Sequence, residues 1–248
     1  MTNQVEKGLK VGATPHNLPN AETYEKEFRY FPWGKLIQEV KERIARALPR
    51  NGRMLDLFCG PGYLLGSLQK DRPDGHYTGI DISADYITNA SKLRPDITFV
   101  CADVQAWEPT TKYDVVTCTA GLHHVPYTEQ ELVLKKIADS VTDTGIVIIA
   151  DPLIDNFSDD DEMERKLAAA KLGYEYLKAV IENDSPDDIL QAAAQILDND
   201  VRGIEYKTSL AKIEPLFRKY FPHVEIQKKW PVKDSAYGDY YFVLRKNI

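Results

Sequence analysis

The chain has 248 residues, of which 43% are hydrophobic and 28% charged, the make-up of an ordinary globular protein able to fill one large core. Its formal charge of −7 argues against a nucleic-acid partner, because neutralising phosphates needs a basic surface. No apolar stretch approaches the ~20 residues that span a bilayer, the first ten residues lack a signal-peptide core, and three cysteines make no disulfide framework, so a reducing cytoplasm is the expected setting.

Residues 14–48 precede the first strand and carry the aromatic cluster Tyr24, Phe28, Tyr30, Phe31 and Trp33. They read as a helical cover. Phe28, Phe31 and Trp33 suit packing against a sheet, and Tyr24, whose hydroxyl gives it a polar handle, suits contact with a ligand. The apolar run Arg53–Phe58 predicts the first strand and contains Asp56. It leads into Cys59-Gly60-Pro61-Gly62 and a helix-like stretch, Tyr63–Lys70. The two glycines permit a tight turn and close approach of a ligand to the backbone. A second strand, Tyr77–Ile80, ends at Asp81, about 20 residues beyond the loop, a spacing suited to a carboxylate that accepts hydrogen bonds from ribose hydroxyls. A dinucleotide fingerprint would place glycine or alanine three positions after Gly62. Leu65 stands there.

Ile97–Val100, Tyr113–Cys118 and Gly145–Ala150 predict three more strands. Their near-continuous β-branched runs fit a parallel sheet covered on both faces. Thr128–Ser140 reads as a helix with Thr128 at the cap and Glu131 at the capping-box position. Within residues 155–206 two further helices are expected. Ser158 or Asp159 would open one, with Leu167, Lys171, Tyr174, Leu177 and Ile181 at helical spacing. Ser185 would cap the other, with Pro186 in its first turn. Phe221–Lys229 and Gly238–Arg245 read as two strands with no helix between them, hence an antiparallel pair. Residues 151–200 hold 14 acidic and 4 basic side chains, most simply a solvated face.

The segment Asp56-Leu-Phe-Cys-Gly-Pro-Gly62, followed by Asp81, by Asp103 in Val100-Cys-Ala-Asp-Val104, and by Thr119-Ala-Gly-Leu-His-His-Val-Pro126, resembles the class I S-adenosylmethionine-dependent methyltransferases. The resemblance implies a single α/β domain with a Rossmann-like, seven-stranded, mostly parallel sheet. Its last strand would be antiparallel, beside the fifth, with helices on both faces and a helical lid at 155–206. It further implies S-adenosylmethionine as cofactor. The loop, with Asp56, Cys59, Gly60 and Gly62, would hold the amino-acid end. Asp81 would hold the ribose, and Ile82, Asp103 and Val104 the adenine, with Tyr24 and Thr119 completing the pocket. His123 or His124 would be positioned to take a proton from the acceptor.

The expected reaction is methyl transfer to an O or N atom of a small molecule, by a monomer or homodimer. Another reaction of the same cofactor, such as cyclisation or carboxy-AdoMet formation, is compatible with the same motifs. The fourth strand does not end in Asn/Asp-Pro-Pro-Tyr, so DNA amino-base and protein-glutamine methylation are not implied. Cys59, Cys101 and Cys118 read as small core residues, and no metal site is assigned to them.

Overall fold

The β-branched runs pair as strands, and consecutive side chains along them feed opposite faces of one sheet. The computed structural model describes residues 20–247, so the part of the expected cover at 14–19 lies outside the described residues. Six strands are parallel: β1 (Arg53–Leu57), β2 (His76–Asp81), β3 (Thr98–Cys101), β4 (Tyr113–Thr119), β5 (Val141–Leu153) and β6 (His223–Trp230). The seventh, β7 (Gly238–Arg245), runs antiparallel between β5 and β6. The order across the sheet is β3-β2-β1-β4-β5-β7-β6. It reverses between β1 and β4, and an open α/β sheet binds ligands outside the carboxyl ends of its strands at such a point.

The helices among the described residues are α1 (Ala21–Tyr30), α2 (Trp33–Ala47), α3 (Tyr63–Asp71), α4 (Ala84–Leu93), α5 (Tyr127–Ser140), α6 (Glu162–Glu182), α7 (Asp187–Arg202) and α8 (Leu210–Tyr220). Val116 and Ile149 pack on one face of the sheet with Val133 and Ile137 of α5 and Phe217 of α8. Val115 and Ile148 pack on the other with Val40 and Ile44 of α2 and Leu65 and Leu68 of α3. A third apolar cluster lies apart from both. It joins Phe31, between α1 and α2, to Leu172 and Tyr176 of α6 and Ile189 and Ala193 of α7.

Three helix starts differ from expectation. Helix α5 begins at Tyr127 behind Pro126, with no side-chain cap. Thr128 therefore sits inside the first turn, and Glu131 turns outward to pair with Lys219. Helix α6 is opened by Asp161, not by Ser158 or Asp159, because the Asp161 carboxylate accepts from Glu164 N at 2.8 Å. The Glu164 carboxylate in turn accepts from Ser158 N at 2.7 Å. Helix α7 starts one residue late, with Pro186 rather than Ser185 in the cap position.

The buried face of α6 also differs. Leu167, Tyr174 and Ile181 are exposed, whereas Ala168, Ala169, Leu172, Tyr176 and Val180 are buried. The small residues let α7 come close. A Cβ at Gly173 would stand 2.6 Å from Asp200 Oδ2 and 3.0 Å from Leu197 Cα.

Candidate active site

Two helix faces and the carboxyl ends of the central strands enclose a cavity of about 410 Å³. Asn20, Thr23, Tyr24 and Glu27 recur at helical spacing along the start of α1 and point to it. Asp188, Gln191, Ala192, Gln195, Ile196 and Asn199 do the same along α7. The floor is Ala120, His123, His124 and Pro152, from the ends of β4 and β5, and Trp33 and Tyr176 form an aromatic wall. The Lys26–Asp188 ion pair, at 3.3 Å, ties α1 to α7 across the roof.

Beside this cavity the glycine loop follows β1. Gly60 and Gly62 have φ of 54° and 79°, the left-handed region that suits glycine. A Cβ on Gly60 would meet the Tyr24 ring at 3.5 Å, and one on Gly62 would stand 2.6 Å from Phe99 Cζ. The Gly62→Ala protein is therefore expected to lose about 1–3 kcal/mol through backbone strain and the displaced ring, read as a lower Tm. An unchanged Tm would show that the turn has another way to close.

The Asp81 carboxylate spans the loop and the next helix. Its Oδ2 accepts from Gly60 N and its Oδ1 from Ser83 N, each at 2.8 Å. Burial pushes its pKa up against the pull of these backbone donors. Asp56 is more deeply buried and accepts from Thr117 Oγ1 at 2.6 Å, and burial raises its pKa to about 7. Cys59 and Cys118 are buried, with their thiol pKa values pushed up by desolvation, while Cys101 is exposed and so is not the core residue its neighbours are. Ile82 is half exposed, Val104 is buried, and Asp103 closes a turn by accepting from Gln105 N at 2.8 Å. Thr119 ends β4 just before Ala120, whose φ of 50° turns the chain toward the cavity.

The two histidines, adjacent in sequence, sit in different surroundings. His123 Nδ1 lies 2.8 Å from Asp151 Oδ1, at the end of β5, and its Nε2 is 3.9 Å from Glu205 Oε2. Burial disfavours its charged form, but Asp151 and Glu205 outweigh burial and raise its pKa above the ordinary value. His124, whose Nδ1 is buried without a partner among the described residues, has its pKa lowered to about 3 by burial and by the neighbouring His123.

Below them Lys207 Nζ is 2.5 Å from Asp200 Oδ1 and 2.9 Å from Glu205 Oε2, all three side chains being buried. Burial opposes charge on each, yet mutual attraction holds Lys207 above and Glu205 below their usual ranges. Ring nitrogens of both histidines and a Glu205 oxygen lie within 4.8 Å of one another, a spacing open to a metal ion. The Lys207 ammonium already neutralises that carboxylate.

Of the residues expected from the sequence, Tyr24, His123 and His124 line the cavity and Thr119 lines a smaller pocket beside it, whereas Asp56, Cys59, Gly60, Gly62, Asp81, Ile82, Asp103 and Val104 line neither. The sequence reading missed Glu27, Asp151, Asn199, Glu205 and Lys207. Of these only Asp151 carried a signal, being an acid that closes a strand, as Asp81 does.

This sheet order, with the glycine loop clamped by the acid that ends β2, defines the Rossmann-like methyltransferase fold. A family model for a methyltransferase domain matches residues 54–145, the part of the chain that carries the glycine loop, Asp81 and Asp103, and this supports a class I S-adenosylmethionine-dependent methyltransferase. The trans-aconitate 2-methyltransferase of Afipia carboxidovorans is 29% identical over 135 residues, 54% of this chain and 50% of that one. An Escherichia coli trans-aconitate 2-methyltransferase is 39% identical over 71 residues, 29% of this chain and 28% of its own. The chain thus matches about a quarter to a half of the length of these relatives.

Among solved structures, the plantazolicin methyltransferase BpumL in complex with SAH superposes with a TM-score of 0.60 at 13% identity, covering 91% of this chain and 89% of that one. The DhpI-SAM-HEP complex gives 0.56 at 18% identity, covering 91% and 93%. At these identities the likeness is one of fold. Among the described residues no helix is long and apolar enough to cross a membrane.

Proposed function

We propose that the chain is an S-adenosylmethionine-dependent methyltransferase acting on an O or N atom of a small molecule. The observation that carries this is the Asp81 clamp on the left-handed Gly60 loop, opening beside a roofed cavity of about 410 Å³. The loop suits the cofactor because its left-handed Gly60 and Gly62 turn the chain tightly between β1 and α3, with Tyr24 the nearest side chain beside Gly60. Gly60, Gly62, Asp81, Ile82, Asp103 and Val104 would hold S-adenosylmethionine, which supplies a methyl group already activated by a positive sulfur.

Helices α1, α2, α6 and α7 serve as the lid. They exclude water and align the acceptor, and such positioning can supply several kcal/mol of a barrier. His123 is the better placed proton acceptor of the pair. Asp151 fixes its Nδ1 proton and leaves Nε2 as the free acceptor at the cavity floor. His124, with its pKa lowered to about 3, is too weak a base for the role.

His123→Gln is expected to leave affinity for S-adenosylhomocysteine unchanged and to lower labelled-methyl transfer about 10²–10⁴-fold. In the wild type the rate should climb as pH rises through the elevated His123 pKa, since only the neutral ring accepts a proton. Asp151→Asn removes the carboxylate that raises this pKa, so the climb should move to lower pH. An unshifted profile, or full activity in His123→Gln, would remove the base from the scheme.

A further inference from the structure

One acidic group lining the cavity has no charged partner among the described residues. Of the cavity's acidic lining residues, Asp188 is paired with Lys26 and Glu205 with Lys207. Glu27 lies one helical turn beyond Tyr24 on the cavity face of α1 and is almost fully buried. Its carboxyl makes no hydrogen bond or ion pair among the described residues. Burial alone pushes its pKa up to about 8. Such a group is costly unless a partner of opposite charge arrives. Among the described residues none is supplied, because Lys207 is the only lysine or arginine of these that lines the cavity and it is already held by two carboxylates.

Around Glu27 the lining is aromatic and neutral-polar. Trp33, one face of which stacks on Phe31, stands edge to face with the fully buried Tyr176 at 5.5 Å between ring centroids, and Tyr24, Asn20, Gln191 and Gln195 are also in the lining. A buried carboxyl that ionises when a counter-charge arrives, set beside an aromatic ring, suits an organic cation. A polycarboxylate would find no free cation among the described lining residues to receive it.

Resting on the methyltransferase reading, we propose that the acceptor is an organic amine, held as its ammonium form by the Glu27 carboxylate beside the Trp33 and Tyr24 rings. The assignment concerns how the acceptor is recognised, whichever of its atoms receives the methyl group.

The test uses full-length protein saturated with S-adenosylhomocysteine and titrated calorimetrically with three matched probes: 2-phenylethylamine, 2-phenylethanol and 3-phenylpropionate. The amine should bind at least about tenfold more tightly than the alcohol, with the carboxylate weakest. In Glu27→Gln, an isosteric change, that preference should vanish while affinity for S-adenosylhomocysteine stays within about threefold. Equal binding of amine and alcohol, binding of none of the probes, or an unchanged preference in Glu27→Gln overturns the proposal. So does a variant weakened toward S-adenosylmethionine but not S-adenosylhomocysteine, since that places the carboxylate at the sulfonium. If S-adenosylhomocysteine itself does not bind, the methyltransferase reading fails first and this proposal with it.

Discussion

Lys207→Met should destabilise the protein by about 3–5 kcal/mol, the cost of stripping the partner from a buried ion pair. The ammonium is fully buried between Asp200 and Glu205, and one Glu205 oxygen also accepts from Asn199 Nδ2 at 3.2 Å. Methionine fills most of the volume, so the loss is one of charge rather than of packing. For a chain of this size each kcal/mol is worth about 2–4 °C in Tm, so a fall of roughly 6–20 °C is expected.

The sign with pH follows. Without the ammonium both carboxylates would have folded-state pKa values above their unfolded ones. The folded variant is then penalised most above the unfolded pKa values, and the gap to wild type should narrow as pH falls toward them. A triple variant, Asp200→Asn, Glu205→Gln, Lys207→Met, should recover much of the stability, because no buried charge is left unpaired. A Tm change under about 2 °C in Lys207→Met would mean that the cluster is more hydrated than its burial indicates.

Asp81→Ala is expected to lower affinity for S-adenosylhomocysteine by a factor of about 10²–10⁴. That corresponds to two hydrogen bonds to a charged carboxylate at about 1.5–3 kcal/mol each. The same side chain accepts from Gly60 N and Ser83 N at 2.8 Å, so the variant also frees the loop and the start of α4. Both effects act in the same direction. Calorimetry reads the affinity, and thermal unfolding shows that the sheet survives. Affinity within about threefold of wild type would detach Asp81 from the cofactor pocket.

These residues illustrate what a sequence discloses. Strands β4 and β5 were legible because Val115-Val116 and Ile146–Ile149 are β-branched runs that fill both faces of a parallel sheet. The antiparallel β6–β7 pair was legible because the short connection holds no helix. The loop and Asp81 were legible because their chemistry depends on residue type and local spacing.

The roof was read less well, for physical reasons. The core face of α6 is built on Ala168, Ala169 and Leu172, which look less apolar than the exposed row Leu167, Tyr174 and Ile181. Close approach of α7 decides between them, and that is a tertiary fact. Glu27, Glu205 and Lys207 look like surface charges in the sequence. Only the packing of α1 and α7 over the strand ends encloses them. The offset starts of α5 and α7 both came from a proline taking the cap position that a hydroxyl was expected to hold.

The central claim is that the crevice between the Gly60 loop and the Asp81 end of β2 holds S-adenosylmethionine. Calorimetric titration of the purified wild-type protein with S-adenosylhomocysteine tests it most directly. The account predicts one site per chain with a Kd in the micromolar range or tighter, equivalent to about −8 kcal/mol or better. No binding, with the protein shown to be folded and free of co-purified ligand, would contradict it.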